Sequence, residues 1–547
     1  MKRILTIAAL LLLSGGLHAQ IDPTVEVSRN YKVNVADIEK PIAGEHFVDD
    51  SLQKFDVSFD YSIFERPYTD LYEFTPYQTD SISKVVRRRP PRVMMQAGSQ
   101  FPFSPEIVLR SQLVTKPRLN VGIDADFRTL MNKMDYLGEE KALSTDRLGA
   151  GVGAQLKHAW STGELTAGFG VKMDAYNDEY AENELTHDLT LGNVFFHLTS
   201  ANPKENSVFY TLDFNYAAAA KKLGGLPEMD TTYNNSRMSL KGTIGSSFDK
   251  HRVYVNMVYQ TAISGRGDSK VNVGLLEFMP VYEYAQGPFK VRAGARFGNK
   301  YIGTDASTTI HPEADFKLEL VKNNLWVRAI VSGGNELNSL VDYIADAPWL
   351  CSGLGKTDAT ATDAIGVRNL ESKLSLESII AGRFAFSPYV AFNNYSHKMQ
   401  LRTVFSSTRL PLLLPQYSDY KMVQLGFETS WKSKNLTING NLNHNNAYNG
   451  TDTPVNMVAD WTWGASMEFN VKRRVFLNAS YAYESGRHAW DGEIPDYSDL
   501  SVTLTGVINR HISAYVKGGN LLDNMNYRFY AIPEIGRNIG GGVRINF

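Results

Sequence analysis

Cysteine is nearly absent, because the chain of 547 residues contains only one, Cys351. A single thiol cannot close an internal disulfide, and it cannot supply the sulfur pairs of a cysteine-rich metal site. The N-terminal region contains no cysteine that could accept the lipid of a lipoprotein. We therefore expect neither a disulfide-stabilised fold nor a lipid-anchored mature protein.

The sequence also lacks a large net charge and a second long apolar run. The 56 Lys and Arg residues nearly balance the 58 Asp and Glu residues, for a formal net charge of -2, so nothing indicates a nucleic-acid partner. No stretch beyond the N-terminus approaches the roughly 20 apolar residues of a membrane-spanning helix. A mean hydropathy of -0.26 suits a soluble protein. It equally suits a transmembrane β-barrel, in which lumen-facing residues dilute the apolar ones.

The familiar catalytic motifs are missing as well. The sequence has no nucleophile elbow, phosphate-binding loop or His-Glu metalloprotease motif, so we expect no enzyme and no cofactor. His187, His444 and His488 lie in or beside predicted loops, and nothing in their spacing indicates that two converge as metal ligands. Acidic residues cluster at 178–184 and 491–499, where oxygen-rich loops could hold calcium. For all of these we favour the simpler interpretation of solvated loop residues.

What the sequence does contain is strand-like alternation. In the last ten residues the apolar face of an extended strand comprises Ile539, Gly541, Val543, Ile545 and Phe547, and the other face is polar. A transmembrane barrel strand needs this pattern, because lipid lies outside and polar groups lie inside. We interpret Val543, Ile545 and Phe547 as a C-terminal signal for the barrel-assembly machinery.

The same alternation recurs in twenty-two segments, beginning with Arg92–Gly98 and including one unusually long segment, Arg383–Val404. Short turns alternate with longer loops, as they do in barrels. Residues 92–547 therefore predict an all-β fold, a large antiparallel transmembrane β-barrel of about 22 strands surrounded by outer-membrane lipid. The longest loop, 335–366, contains an apolar stretch, Leu340–Leu350, that either folds into the lumen or meets a partner.

The N-terminal region differs from the barrel. Residues 1–19 predict a signal peptide, because two basic residues precede the apolar run Ile4–Leu13 and Ala19 precedes a suitable cleavage point. Residues 20–91 contain many prolines and acids and only brief alternating pieces. They predict an extended periplasmic segment with no folded plug.

The C-terminal region resembles a known family. The pattern consists of Asn520-Leu521-Leu522-Asp523, then Tyr527, Pro533, Gly536-Arg537 and the terminal Phe547. It is similar to the C-terminus of TonB-dependent receptors, and the resemblance implies a 22-stranded barrel closed by an N-terminal plug. The chain departs from that family because residues 20–91 are too few for such a plug. It therefore resembles the plugless, receptor-like barrels of Bacteroidota.

The resemblance also implies a function and partners. Thr24, Val25, Glu26 and Val27 resemble the energy-coupling box that pairs with TonB as an added strand, although an ordinary extended segment fits them too. Transport across the outer membrane of a Gram-negative bacterium is the implied activity, with both termini in the periplasm. The alternative is a structural or accessory subunit of an outer-membrane assembly or export complex. In either case a lumen-filling or complex-forming protein is a further implied partner.

Overall fold

The computed structural model describes most of the predicted barrel. The described residues are 92–134, 142–200, 207–225, 231–266, 269–303, 305–344, 347, 349–351, 365–406, 409–450, 454–490 and 492–547. The predicted signal peptide, the predicted extended segment 20–91 and the candidate energy-coupling box at residues 24–27 lie outside the described residues. Those three predictions remain predictions.

Within these ranges, twenty-two antiparallel strands form one closed sheet, so the predicted all-β barrel is confirmed. The barrel strands are β1 (Val93–Phe101), β2 (Glu106–Lys116), β3 (Leu119–Met134), β4 (Leu143–Trp160), β5 (Gly163–Tyr180), β6 (Asn183–Ser200), β7 (Val208–Gly224), β8 (Thr231–Phe248), β9 (His251–Arg266), β10 (Ser269–Gln286), β11 (Phe289–Ile302), β12 (Asp305–Val321), β13 (Leu325–Leu337), β14 (Ile365–Ile380), β15 (Phe384–Phe405), β16 (Pro411–Lys432), β17 (Leu436–Tyr448), β18 (Trp461–Val471), β19 (Val475–Ser485), β22 (Tyr497–Val507), β23 (Ile512–Gly519) and β26 (Asn538–Asn546).

Small elements lie in the longer connections. One helix, α1 (Leu340–Ile344), follows β13, and two short hairpins are formed by β20 (Arg487–Ala489) with β21 (Gly492–Ile494) and by β24 (Tyr527–Phe529) with β25 (Ile532–Pro533). No helix among the described residues is long and apolar enough to cross a bilayer.

Pairing of the first and last strands closes the sheet. β1 lies antiparallel to β26, with Gly98 opposite Gly542, and the Arg92 amide donates to the Phe547 carbonyl at 2.8 Å. We call the edge of the barrel that holds the start of β1, the end of β26 and the short turns the terminal rim. The opposite edge, which holds the longer loops, is the loop rim. Closure leaves no unpaired strand edge, which is what a sheet surrounded by lipid requires.

Apolar side chains face outward around the barrel. Met173, Val194 and Leu442 are between 40% and 58% exposed on this face, and Trp461 and Trp463 belong to the same outer surface. In the C-terminal strand, Val543 and Phe547 are also exposed, at 43% and 67%. The alternation seen in the sequence is therefore the alternation between a lipid-facing and a lumen-facing surface.

The strands continue beyond the apolar belt toward the loop rim. On the outward face of β5, Met173 is followed by Ala175, Asn177 and Glu179, so the face becomes polar before the strand ends at Tyr180. The outward face of β6 changes in the same way where it pairs with this part of β5. These ends of β5 and β6 therefore lie outside the lipid-facing belt.

Several strands extend further toward the loop rim than the sequence predicts, and two of these differences are large. Residues 177–187 were predicted as a loop, but they continue β5 and β6 as a hairpin with a two-residue turn. Strand β16 was predicted from Tyr420, but it begins at Pro411 and pairs with the end of β15. Leu412 and Leu413 are consecutive and both buried, so a two-residue alternation is absent there. The long segment Arg383–Val404 was predicted correctly as one strand, β15.

The two faces of β17 provide a test of the membrane embedding. Leu442→Arg places a charge in the lipid-facing belt, and we expect it to reduce the free energy of unfolding by about 2 kcal/mol. Asn441→Arg is the matched control, because Asn441 is exposed on the lumen side of the same strand. Urea unfolding of the barrel in lipid vesicles measures both. Equal losses in the two variants would contradict the assignment of the faces.

Candidate functional site: a cap of loops inside the barrel

Part of the chain folds into the lumen at the loop rim. The lumen-facing side chains of β4, β5, β7 and β8 are those that alternate with the exposed apolar ones, and they include Arg147, Asp178, Lys221 and Arg237. All four of these polar side chains contact, or lie beside, residues of the connection between β13 and β14. The described residues of the longest predicted loop therefore fold inward, which was one of the two alternatives for its apolar stretch.

We call three converging pieces the inner cap. They are the described residues of the β13–β14 connection up to Cys351, the tip of the β15–β16 hairpin from Met399 to Leu414, and the segment Phe529–Ile532 of the last long loop. Two buried apolar clusters hold these pieces together. One cluster joins Leu340, Val341, Trp349, Leu350, Met399, Leu401, Leu413 and Ile532 to Leu189 and Ala219 of the wall. The second contains Cys351, Leu410, Leu412 and Ala531 together with Leu143, Leu185, Leu223 and Tyr233 of the wall strands.

A buried carboxylate anchors the cap to β5. The Trp349 indole Nε1 donates to Asp178 Oδ2 at 2.7 Å, and the Thr145 hydroxyl donates to Asp178 Oδ1 at 2.6 Å. The Arg147 guanidinium lies over the Trp349 ring, 5.0 Å from its centroid. Both carboxylate oxygens are therefore satisfied, and the indole has partners for its N–H and for its face.

Two further polar contacts anchor the cap to β7 and β8. The Lys221 ammonium donates to the Leu350 carbonyl at 2.5 Å. The Arg237 guanidinium donates to Asp342 Oδ2 at 2.7 Å from α1. We call these two contacts, together with the Trp349–Asp178 hydrogen bond, the latch.

The other side of the cap is held by backbone hydrogen bonds. Leu350 forms a parallel bridge with Leu413 at the start of β16. The Cys351 amide donates to the Leu413 carbonyl at 2.8 Å, and the Leu413 amide donates to the Trp349 carbonyl at 3.0 Å. The Thr403 hydroxyl donates to the Tyr530 carbonyl at 2.7 Å, which ties the hairpin to the last long loop.

The cap thus bridges the barrel from wall to wall. β5 and β16 are eleven strands apart in the ring of twenty-two, so they lie on opposite sides of the lumen. Trp349 contacts Asp178 of β5 while its neighbours pair with β16. The chain itself therefore crosses the lumen at the loop rim.

Burial sets the ionisation of the groups in the latch. Asp178 is 1% exposed, and this desolvation raises the pKa of its carboxyl in spite of the nearby cations. Lys221 is also 1% exposed, and burial lowers the pKa of its ammonium to about 8. Both groups lie in the strand ends beyond the lipid-facing belt. The latch therefore contains two charges whose ionised forms are destabilised by the cap that covers them.

His187 lies beside the latch, and its predicted role as a solvated loop residue was wrong. The side chain is 0% exposed on the lumen face of β6. Its Nε2 atom lies 3.9 Å from Asp178 Oδ2, and no described residue provides a hydrogen-bond partner for either ring nitrogen. Burial, with Lys221 and Arg147 nearby, lowers the pKa of the imidazole well below its ordinary value.

The lumen wall below the cap is charged on one side. Arg328 makes two hydrogen bonds to Asp315, at 2.6 and 2.9 Å, and Lys317 donates to Glu377 at 2.6 Å. Further ion pairs on β10, β11 and β12 join Arg296 to Glu277 and Glu313, and Arg292 to Glu313. Opposite charges on neighbouring strands neutralise each other, so this wall presents a paired surface to the lumen.

The wall formed by β17 and β18 carries amides and hydroxyls instead. The Tyr389 hydroxyl donates to Asn443 Oδ1 at 2.7 Å, and the Ser430 hydroxyl donates to Asn439 Oδ1 at 2.8 Å. Asn439 and Asn443 also donate to hydroxyls of β18. The two walls together give a lumen lined by polar groups, in contrast to the apolar outside.

The other two histidines singled out in the sequence lie in different environments. His444 faces outward and stacks on Trp461, with ring centroids 4.3 Å apart, and His488 lies in β20. In the part of the chain that is described, no three His, Cys, Asp or Glu side chains are grouped to hold a metal ion. Asp178 was assigned to an ordinary acidic loop, and that assignment was wrong because Trp349, 171 residues away, covers it.

Comparison with known proteins identifies the fold. No protein-family model matches the chain, and no curated protein matches it. Solved structures do match. The ferripyoverdine receptor of the outer membrane of Pseudomonas aeruginosa has a TM-score of 0.63 at 10% identity, over 84% of this chain and 72% of that one.

Two further structures give the same result. The ferric-catecholate import receptor Fiu of E. coli K12 has a TM-score of 0.61 at 10% identity, covering 84% and 82% of the two chains. The copper transporter OprC has a TM-score of 0.60 at 9% identity, covering 83% and 80%. At such low identity the similarity concerns the fold alone, and it agrees with the 22-stranded barrel that the C-terminal pattern implied.

The latch can be tested with the cysteine of the cap. Cys351 is the only cysteine in the sequence and is 1% exposed, so its reaction rate with a thiol reagent reports opening of the cap. Trp349→Phe leaves Asp178 Oδ2 without its donor, a loss of about 1–2 kcal/mol. We expect the labelling rate to rise roughly 5- to 30-fold. Trp461→Phe, on the outer face, is the control, and an unchanged rate in Trp349→Phe would show that the hydrogen bond does not hold the cap.

Proposed function

We propose that this protein is an outer-membrane barrel through which a solute crosses the membrane, and that the inner cap is the barrier that must move. The observation that carries the proposal is the contrast between the cap and the lumen below it. The lumen is lined by ion pairs, amides and hydroxyls, whereas the cap joins opposite walls through apolar clusters and a small latch. A polar lumen supports the passage of a polar solute.

The composition of the latch supports movement of the cap. On the β5–β8 side the cap is held by side chains alone, through the three latch contacts and the apolar clusters, whereas its pieces are joined to β16 by paired backbone groups. Side-chain contacts can be broken without unfolding a strand. The β5–β8 side is therefore the side on which the cap would separate first.

The fold supports the same proposal. The three solved structures described above are named as two receptors and a transporter, and this chain shares their barrel. Coupling to TonB through residues 24–27 and a periplasmic position for both termini belong to this proposal. The absence of a folded plug, as in the Bacteroidota type, is part of it too.

A structural role in an outer-membrane complex is the second candidate. It is favoured by the extent of the bridge, because cap residues from three separate connections bury their apolar side chains together. A permanently blocked barrel would not conduct, and it would serve as a wall or rim to which partners bind. The two candidates differ in whether the cap can be opened.

Conductance in planar bilayers separates the two candidates. We compare four proteins: the full chain, a chain without residues 20–91, a chain in which 339–351 is replaced by a short Gly-Ser linker, and a chain with both changes. If the cap is the transport barrier, the linker variants conduct in large steps and the full chain conducts rarely. Steps that appear only when both changes are combined would show that residues 20–91 form a second barrier.

Two controls make this measurement decisive. Leu442→Arg and Asn441→Arg, which alter the wall and leave the cap intact, are expected to conduct like the full chain if they insert. Silence in all four proteins, with each one folded and inserted, would contradict transport through this lumen. Co-purification of the silent full chain with another outer-membrane protein would then support the structural role.

A further inference from the structure

His187 lies beside the latch and takes no part in its hydrogen bonds. Asp178 already accepts hydrogen bonds from Thr145 and Trp349, one to each carboxylate oxygen. His187 lies 3.9 Å from the oxygen that Trp349 uses, and it makes no hydrogen bond with it. The imidazole is therefore packed beside the latch in a state that contributes no polar contact to it.

The charges around His187 make a proton costly there. Arg147 of β4 and Lys221 of β7 are the neighbouring cations, and Asp178 of β5 is the neighbouring anion. From the cap, the Cys351 thiol lies close enough to Lys221 to act on it electrostatically. A protonated imidazole would place a third cation beside one carboxylate in a fully buried site.

A protonated imidazole would also compete for the latch. An imidazolium is a charge-assisted donor to a carboxylate, and such hydrogen bonds are stronger than neutral ones. If it moved onto Asp178 Oδ2, it would compete with the Trp349 indole for that acceptor. Repulsion by Lys221 and competition for Asp178 therefore act in the same direction, against the closed cap.

We propose that His187 makes the inner cap sensitive to acid: proton uptake by this buried imidazole opens the latch on the β5–β8 side. The proposal concerns the movement of the cap and does not depend on what, if anything, passes through the lumen. The group that takes up the proton is the His187 imidazole, which makes no hydrogen bond with any described residue while the cap is closed.

Linkage fixes the direction and the pH range. In the closed cap, burial and the two cations hold the pKa of His187 well below 6.5, and an opened cap returns the ring to water. The closed state therefore binds fewer protons than the open state. It is favoured above about pH 6.5, and its stability relative to the open state decreases as the pH falls. One such group changes the ratio of open to closed states by roughly 8-fold between pH 7 and pH 5.5.

The other groups act differently. Burial raises the pKa of Asp178, so a closed cap binds this proton more readily and acid acts through Asp178 in the opposite sense. Burial lowers the pKa of Lys221 to about 8 in the closed cap, so its ammonium is mostly protonated across the range in question.

Labelling of Cys351 in the full-length protein tests the proposal. The rate with dithiodipyridine, which reacts with thiols at mildly acidic pH, is measured between pH 7.5 and 5.5 and divided by the rate for denatured protein at the same pH. We expect the rate to rise toward pH 5.5 in the native chain, by at most roughly 10-fold between pH 7.5 and pH 5.5, and to stay flat or fall in His187→Gln, where only the opposing titration of Asp178 remains. His187→Asn serves as a second variant if the first does not fold.

Matched variants identify the responsible group. His444→Gln removes a histidine on the outer face and should keep the full acid response. A native profile without a rise, or the same rise in His187→Gln, would overturn the proposal. Because labelling needs no conductance, it can fail or succeed independently of transport.

Discussion

Closure of the sheet between β1 and β26 is the constraint on which the rest of the structure depends. Lipid offers no hydrogen-bond partners, so every backbone amide and carbonyl at that level must pair within the protein. Val93 and its neighbours achieve this by pairing with the last strand, and Arg92 and Phe547 continue the ladder at the rim. The terminal strand is thus needed for the barrel to exist, which explains its unbroken alternation.

The same constraint creates the problem that the inner cap addresses. A ring of twenty-two strands encloses a lumen too wide for wall side chains to fill. Here several strands extend beyond the lipid-facing belt at the loop rim, and β15 and β16 are each 22 residues long. These extensions supply the surfaces on which the cap packs. Strand length at the loop rim is therefore tied to the crossing of the lumen rather than to the thickness of the membrane.

The sequence predicted the barrel well because its signal is local. One face of each strand meets lipid and the other meets polar groups, so residues two apart carry the information. The prediction failed at Leu412 and Leu413, where both faces are buried and the alternation disappears. It failed again at Asp178 and His187, which look like solvated loop residues when only their neighbours in sequence are considered.

The inner cap could not be predicted from residues that are close together in the sequence. Asp178 and Trp349 are 171 residues apart, and neither has a sequence pattern that names the other. The apolar stretch Leu340–Leu350 did indicate that the loop must be covered by something, and this physical part of the prediction was sound. Which surface covers it depends on the three-dimensional meeting of β4 to β8 with β16, and only the structure supplies that.

The polar character of the latch has a consequence for how such a cap can work. An interface made only of apolar side chains responds weakly to its chemical surroundings, because its stability depends on buried area. The latch instead buries Asp178 and Lys221 at 1% exposure, with His187 at 0% beside it, and each buried charge depends on its hydrogen-bond partners. Loss or gain of one proton then changes the balance of the whole contact. The apolar clusters stabilise the closed position, and the buried polar groups determine the conditions under which it is held.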